Sequence, residues 1–225
     1  MDIGVPYALA NVEDNRKAYF SKIQSGIKSK RSIFYQLNYD AQHLPIDYPR
    51  IAVGWKGRAT DSRTTIAALI PPGIGTTDAS SIFIKRKGSP RSEAFLLGVI
   101  CSIPFDWLIR KWVEMNLTFE LLEPAPIPKF SEKDDKTRRL CELSARLAST
   151  DSRYSAWASD NDVSIGTLRE TESAESAICE IDALVALLYG LKIDELKFIF
   201  ESFHRGWNYE SRLLQTVEFF KKWDH

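Results

Sequence analysis

The stretch Arg50–Gly73, RIAVGWKGRATDSRTTIAALIPPG, decides the fold. It opens and closes on apolar runs, Ile51–Val53 and Ile66–Ile70, with a polar loop between them that holds Gly57 and Asp61. Apolar runs rich in β-branched residues and separated by turn chemistry read as strands, expected here at about Arg50–Trp55 and Arg63–Ile70. The Pro71-Pro72-Gly73 turn then leads to a third expected strand, Ser80–Lys85. The same stretch concentrates Arg50, Lys56, Arg58 and Arg63 with the hydroxyls of Thr60, Ser62, Thr64 and Thr65. Guanidinium and hydroxyl donors on a rigid β edge suit phosphate oxygens and base edges.

Working outward, Asn11–Gly26 reads as a short helix with Asn11 as its N-cap. Residues 28–49 are irregular, with the basic cluster Lys28, Lys30, Arg31 and a strand-like Ile33–Leu37. Downstream, Arg91–Cys101 gathers Phe95, Leu96, Val99 and Ile100 on one helical side. A second helix begins near Pro104, a residue suited to a first turn. A strand is expected at Leu117–Leu122. The alternating prolines 124, 126 and 128 then force a stiff, extended crossing, the best candidate for an internal boundary. Beyond it come helices at Glu132–Ala148, Glu170–Tyr189 (stopped by Gly190), Asp194–Phe203 and Glu210–Trp223, with a polar, turn-rich segment at 149–168. The expected fold is α+β: a small mixed β-sheet with flanking helices, followed by a helical C-terminal portion. Residues 1–130 would form the β-rich portion with its helix pair, and 131–225 the helical portion.

Composition agrees with a globular chain: 225 residues, 44% hydrophobic and 27% charged. The net charge of zero hides an asymmetry. Residues 1–131 hold 17 Lys/Arg against 12 Asp/Glu, and 132–225 hold 13 against 18. Lys28–Arg91 alone has 11 basic and 4 acidic residues. Such polarity suggests one portion facing a polyanion and another presenting a solvated helical surface. Cys101, Cys141 and Cys179 form no CxxC pair and suit a reduced, cytoplasmic protein. No signal-peptide pattern opens the sequence, and no apolar run reaches the ~18 residues of a membrane helix, so no membrane is expected among its partners.

Catalytic motifs are missing. Methyl transfer to an exocyclic amine needs a cofactor loop and an Asn-Pro-Pro-aromatic motif, yet no asparagine here precedes a proline. Gly73-Ile74-Gly75 follows a strand but leads into turn and strand, not the helix start that a cofactor loop requires. Asp134-Asp135-Lys136 and Glu195-Leu196-Lys197 fall in expected helices, where they read as solvated charge. His43, His204 and His225 have no metal spacing. The sequence therefore predicts no catalytic residue, no metal and no cofactor in this chain. Candidate DNA contacts are Arg50, Lys56, Arg58, Thr60, Ser62, Arg63, Thr64 and Thr65. Lys85, Arg86, Lys87 and Arg91 would form the opposite wall of a cleft. Arg110 stands one helical turn from Asp106, the spacing of an i,i+4 ion pair.

Three phrases carry a resemblance: ATDSRTTIAALIPPG (59–73), EAFLLGVICSIPFDWLIRKWVEMNLTFELLEPAPIP (93–128) and EIDALVALLYGLKIDELKFIFESF (180–203). In that order they resemble the C-terminal recognition region of type IIG restriction–modification enzymes and BREX-type adenine-specific DNA methyltransferases. The similarity runs from about Arg50 to Phe203, some two-thirds of the chain. It implies a double-stranded DNA recognition domain working with a methyltransferase catalytic domain or subunit, where S-adenosylmethionine would bind. It also implies either a piece of a longer enzyme or a separate specificity subunit. The alternative is a protein-interaction subunit of a phage-defence complex that does not read DNA sequence. Two departures stand out. Asp61-Ser62 replaces an asparagine before the Arg-Thr pair, and Cys101-Ser102-Ile103 replaces Leu-Asn-Ser.

Overall fold

A computed structural model describes residues 45–76, 79–83, 89–168, 170–203 and 209–224. The elements expected at Asn11–Gly26 and Ile33–Leu37, the cluster at Lys28–Arg31 and the three histidines lie outside those residues.

Strand β1 (Arg50–Gly54) is buried at its first four positions, the pattern of a central strand. β2 (Ala67–Ile70) and β3 (Ser80–Phe83) flank it in the order β2-β1-β3. Both pairings are antiparallel, with Ile51 opposite Leu69 on one side and Phe83 on the other. The sheet is therefore antiparallel rather than mixed. The 71–79 connection carries the chain from one side of β1 to the other, so β2 and β3 share a direction without pairing. β2 also starts four residues later than expected, because Arg63–Thr65 hydrogen-bond to a helix instead of a strand.

Helix α1 (Pro90–Cys101) begins one residue before the expected Arg91. Pro90 fills the first turn and Ser89 caps it, accepting from the Ser92 amide at 3.3 Å. Ser102 breaks the helix with extended backbone and then caps α2 (Ile103–Arg110) by accepting from the Phe105 amide. In place of the expected strand, 119–122 forms one helical turn, α3 (Phe119–Leu122). Only the start of that segment pairs, through a Lys56–Asn116 bridge and a 2.7 Å hydrogen bond from the Leu117 amide to the Trp55 carbonyl. Helix α4 (Asp135–Ala148) is capped by Asp134, which accepts from the Thr137 amide at 2.8 Å. The polar segment 149–168 contains a 3-10 turn and a short helix, α5 (Ser155–Asp160), anchored by buried Tyr154 and Trp157. Helices α6 (Thr171–Leu188), α7 (Ile193–Glu201) and α8 (Glu210–Trp223) follow.

One apolar core joins Ile51, Val53 and Leu69 of the sheet to Phe95 and Val99 of α1, Leu140 and Leu143 of α4, Trp157, and Ile181 and Leu184 of α6. It runs straight across the boundary expected at the proline segment. The prolines lie at the surface, and α1 buries its face both against the sheet before them and against α4 beyond them. At Gly98 the fit is tight enough that a Cβ would stand 2.2 Å from Ser144 Oγ. A second cluster packs Ile103 against Ala183, Phe200, Phe203 and Phe220. Among the described residues no single helix is long and apolar enough to cross a membrane. α1 and α2 reach that length only together, bent by 63°, and their apolar residues are largely buried.

Candidate nucleic-acid interface

The 55–66 loop is shaped from within by one carboxylate. Asp106 sits in the first turn of α2, fully buried. It accepts from Arg63 Nε at 2.6 Å, from the Thr64 amide at 3.1 Å to each oxygen, and from the Thr65 amide at 3.3 Å. Arg110 completes the set at 3.5 Å, at the i,i+4 spacing expected from sequence. The Arg63 guanidinium also donates to the Cys101 carbonyl at 2.8 Å, filling the open end of α1. Arg110 lies over the Phe203 ring at 3.7 Å and donates to the Asp61 carbonyl at 3.1 Å. Burial draws its guanidinium below the usual arginine range, while Asp106 acts in the opposite sense. The loop also ties itself together. Thr64 Oγ1 donates to the Arg58 carbonyl and the Arg58 amide donates to Asp61 Oδ2, while Gly57 passes so close that a Cβ would meet the Thr64 carbonyl at 2.2 Å.

This geometry redraws the site expected from sequence. Arg63, Thr64 and Thr65 face inward to Asp106, and both threonines are fully buried. Arg50 is buried as well, its guanidinium donating to the carbonyls of Tyr48 at 2.9 Å and Ile74 at 2.5 Å. The guanidinium groups of Arg50 and Arg63 and the hydroxyl of Thr64 are taken up by internal acceptors, while Thr65 Oγ1 is buried without a hydrogen-bond partner. Arg91 pairs with Asp162 and stands at the far end of α1 from the Arg63 clamp, about 15 Å along the helix. Lys85, Arg86 and Lys87 lie outside the described residues.

Lys56, Arg58, Thr60 and Ser62 remain, and all four are exposed. Neither Lys56 nor Arg58 makes an ion pair among the described residues. The structure adds Lys111, exposed in the turn after α2 with its Nζ 3.2 Å from the centre of the Trp107 ring. Sequence reasoning missed Lys111 because nothing local ties it to the loop. It also read Asp106 only as a partner for Arg110. The signal for Asp106 was an acid inside the apolar run Ile103–Ile109, downstream of a strongly basic stretch.

Other sequence signals resolve as structure. The carbonyl of Ile74, within Gly73-Ile74-Gly75, is an acceptor for Arg50, and Asp134 is a helix cap. Among the described residues no group of three or more His, Cys, Asp or Glu could hold a metal ion. No family model matches this chain, and neither a curated protein nor a solved structure matches it.

Proposed function

We propose that the chain is a double-stranded DNA docking module, working with the catalytic region of an adenine-specific restriction–modification or phage-defence methyltransferase. Its contact residues are Lys56, Arg58, Thr60, Ser62 and Lys111. S-adenosylmethionine binding and bond-making belong to the catalytic region. The observation that carries this reading is the internal clamp: Asp106 fixes the loop from behind and leaves cations in front without carboxylate partners. A preformed cationic loop loses little conformational entropy on meeting phosphates, and each phosphate it neutralises releases counterions. A cytoplasmic setting goes with this reading, given three cysteines that are free thiols. The protein-interaction reading draws on Phe198 and Leu214, exposed by 62% and 69% on the acidic helical side.

A salt titration of duplex binding separates the two. A DNA-docking module loses affinity steeply as salt rises, and Lys56→Ala/Arg58→Ala flattens the log–log slope by about two units with the fold intact. Absence of salt-dependent duplex binding, or a double variant that binds like the parent, overturns the proposal.

A further inference from the structure

Beside the loop the surface carries more apolar area than a duplex exterior can use. Trp55 is 40% exposed where β1 ends, and Trp112 and Met115 are 46% and 62% exposed in the turn after α2. The two segments are direct neighbours, joined by the hydrogen bond from the Leu117 amide to the Trp55 carbonyl and by the Lys56–Asn116 bridge. Lys56 and Arg58 follow Trp55 along the chain, Lys111 precedes Trp112, and all three are exposed. The exposed acids of the same segments are Asp61, whose Oδ2 already accepts from the Arg58 amide, and Glu114.

Exposed indoles in segments whose cations Lys56, Arg58 and Lys111 make no ion pair among the described residues match one ligand chemistry better than others. The outside of an intact duplex offers phosphates and groove edges, which leave an indole face without a partner. An unpaired nucleotide offers both a phosphate and a free π face, and stacking on an aromatic side chain is tolerant of base identity. A protein surface would also take tryptophan and methionine, but the surplus of cations favours a phosphate-bearing partner.

We infer that this surface binds unpaired DNA nucleotides, with bases stacked on Trp55 and Trp112 and phosphates held by Lys56, Arg58 and Lys111. The inference rests on the DNA reading above and narrows its ligand to a duplex with an opened or single-stranded segment at the loop.

The test compares three probes with the full chain at fixed salt: an intact duplex, the same duplex with a short single-stranded gap, and oligothymidylate. The gapped duplex binds at least about fivefold more tightly than the intact one, and binding quenches tryptophan fluorescence. Trp55→Ala/Trp112→Ala abolishes that preference while intact-duplex affinity stays within about twofold, and Trp55→Phe/Trp112→Phe keeps most of it. If the alanine pair fails to fold, the quenching of the parent chain and the phenylalanine pair still decide. Intact duplex bound as well as gapped duplex overturns this inference and leaves the docking reading standing. No binding to any probe overturns both. A gap preference that survives in the folded alanine pair shows that the surface serves another partner, and also overturns it.

Discussion

Asp106 carries four groups at once: without it the Thr64 and Thr65 amides lose their acceptor, and Arg63 and Arg110 lose the one carboxylate they share. Removing one partner of a buried ion pair leaves a charge out of water with nothing to balance it. Asp106→Ala is therefore expected to lower stability by about 3–5 kcal/mol, read as a fall in the urea midpoint. Gly57→Ala drives a Cβ into the Thr64 carbonyl and is expected to cost about 1–3 kcal/mol by the same measurement. Both substitutions should also alter the loop's amide resonances in NMR spectra. At this scale the sequence misled in a physically instructive way. Residue type marked the side chains of Arg63, Thr64 and Thr65, yet only Arg63 reaches Asp106 with its side chain, and the two threonines do so through backbone amides. It could not say that their acceptor stands more than forty positions away, so groups that hold the loop together looked like groups that reach out from it.

Helices were the most legible elements because their ends carry local chemistry. Pro104 and Gly190 each mark a terminus that the structure reproduces, and α8 spans Glu210–Trp223 as its periodicity predicts. Gly190 adopts φ 73° with open space around its Cβ position. Gly190→Ala is thus expected to cost about 1–2 kcal/mol from backbone conformation alone, seen as a lower thermal midpoint. Local reading failed where long-range pairing decides. Leu117–Leu122 has the composition of a strand, but Asn116 and Leu117 pair only with Lys56 and Trp55, just past the end of β1, before the chain turns helical. In 149–168, Tyr154 and Trp157 anchor a short helix that polar neighbours conceal. Tyr154 does so by donating to the Leu69 carbonyl in β2.

For the whole molecule, the α+β class was legible and the division into two portions was not. A boundary argued from proline stiffness takes no account of which faces each half leaves apolar, and here α1 and α4 need one another. Thiol chemistry gives a global readout of that shared core. Cys141 and Cys179 are buried and Cys101 half-buried. Burial pushes the thiols of Cys101 and Cys141 up to about 11 and raises that of Cys179. Unfolded thiols titrate near pH ~8.5, so the folded state holds these protons more firmly. The stability gained this way is whole below that pH and is lost as pH rises toward the folded values. Urea midpoints should accordingly fall between about pH 8.5 and pH 11, and Cys141 and Cys179 should resist thiol reagents at about pH 8 until the chain unfolds.

Because the 55–66 loop takes its path from a buried carboxylate and from its own backbone, the identities of Ala59, Thr60 and Ser62 at its tip contribute little to its shape. That arrangement works as an interchangeable bit in a fixed chuck. New tip sequences can be fitted without retuning the body, so a library randomised at those three positions should keep the parent's melting behaviour while its ligand preferences diverge.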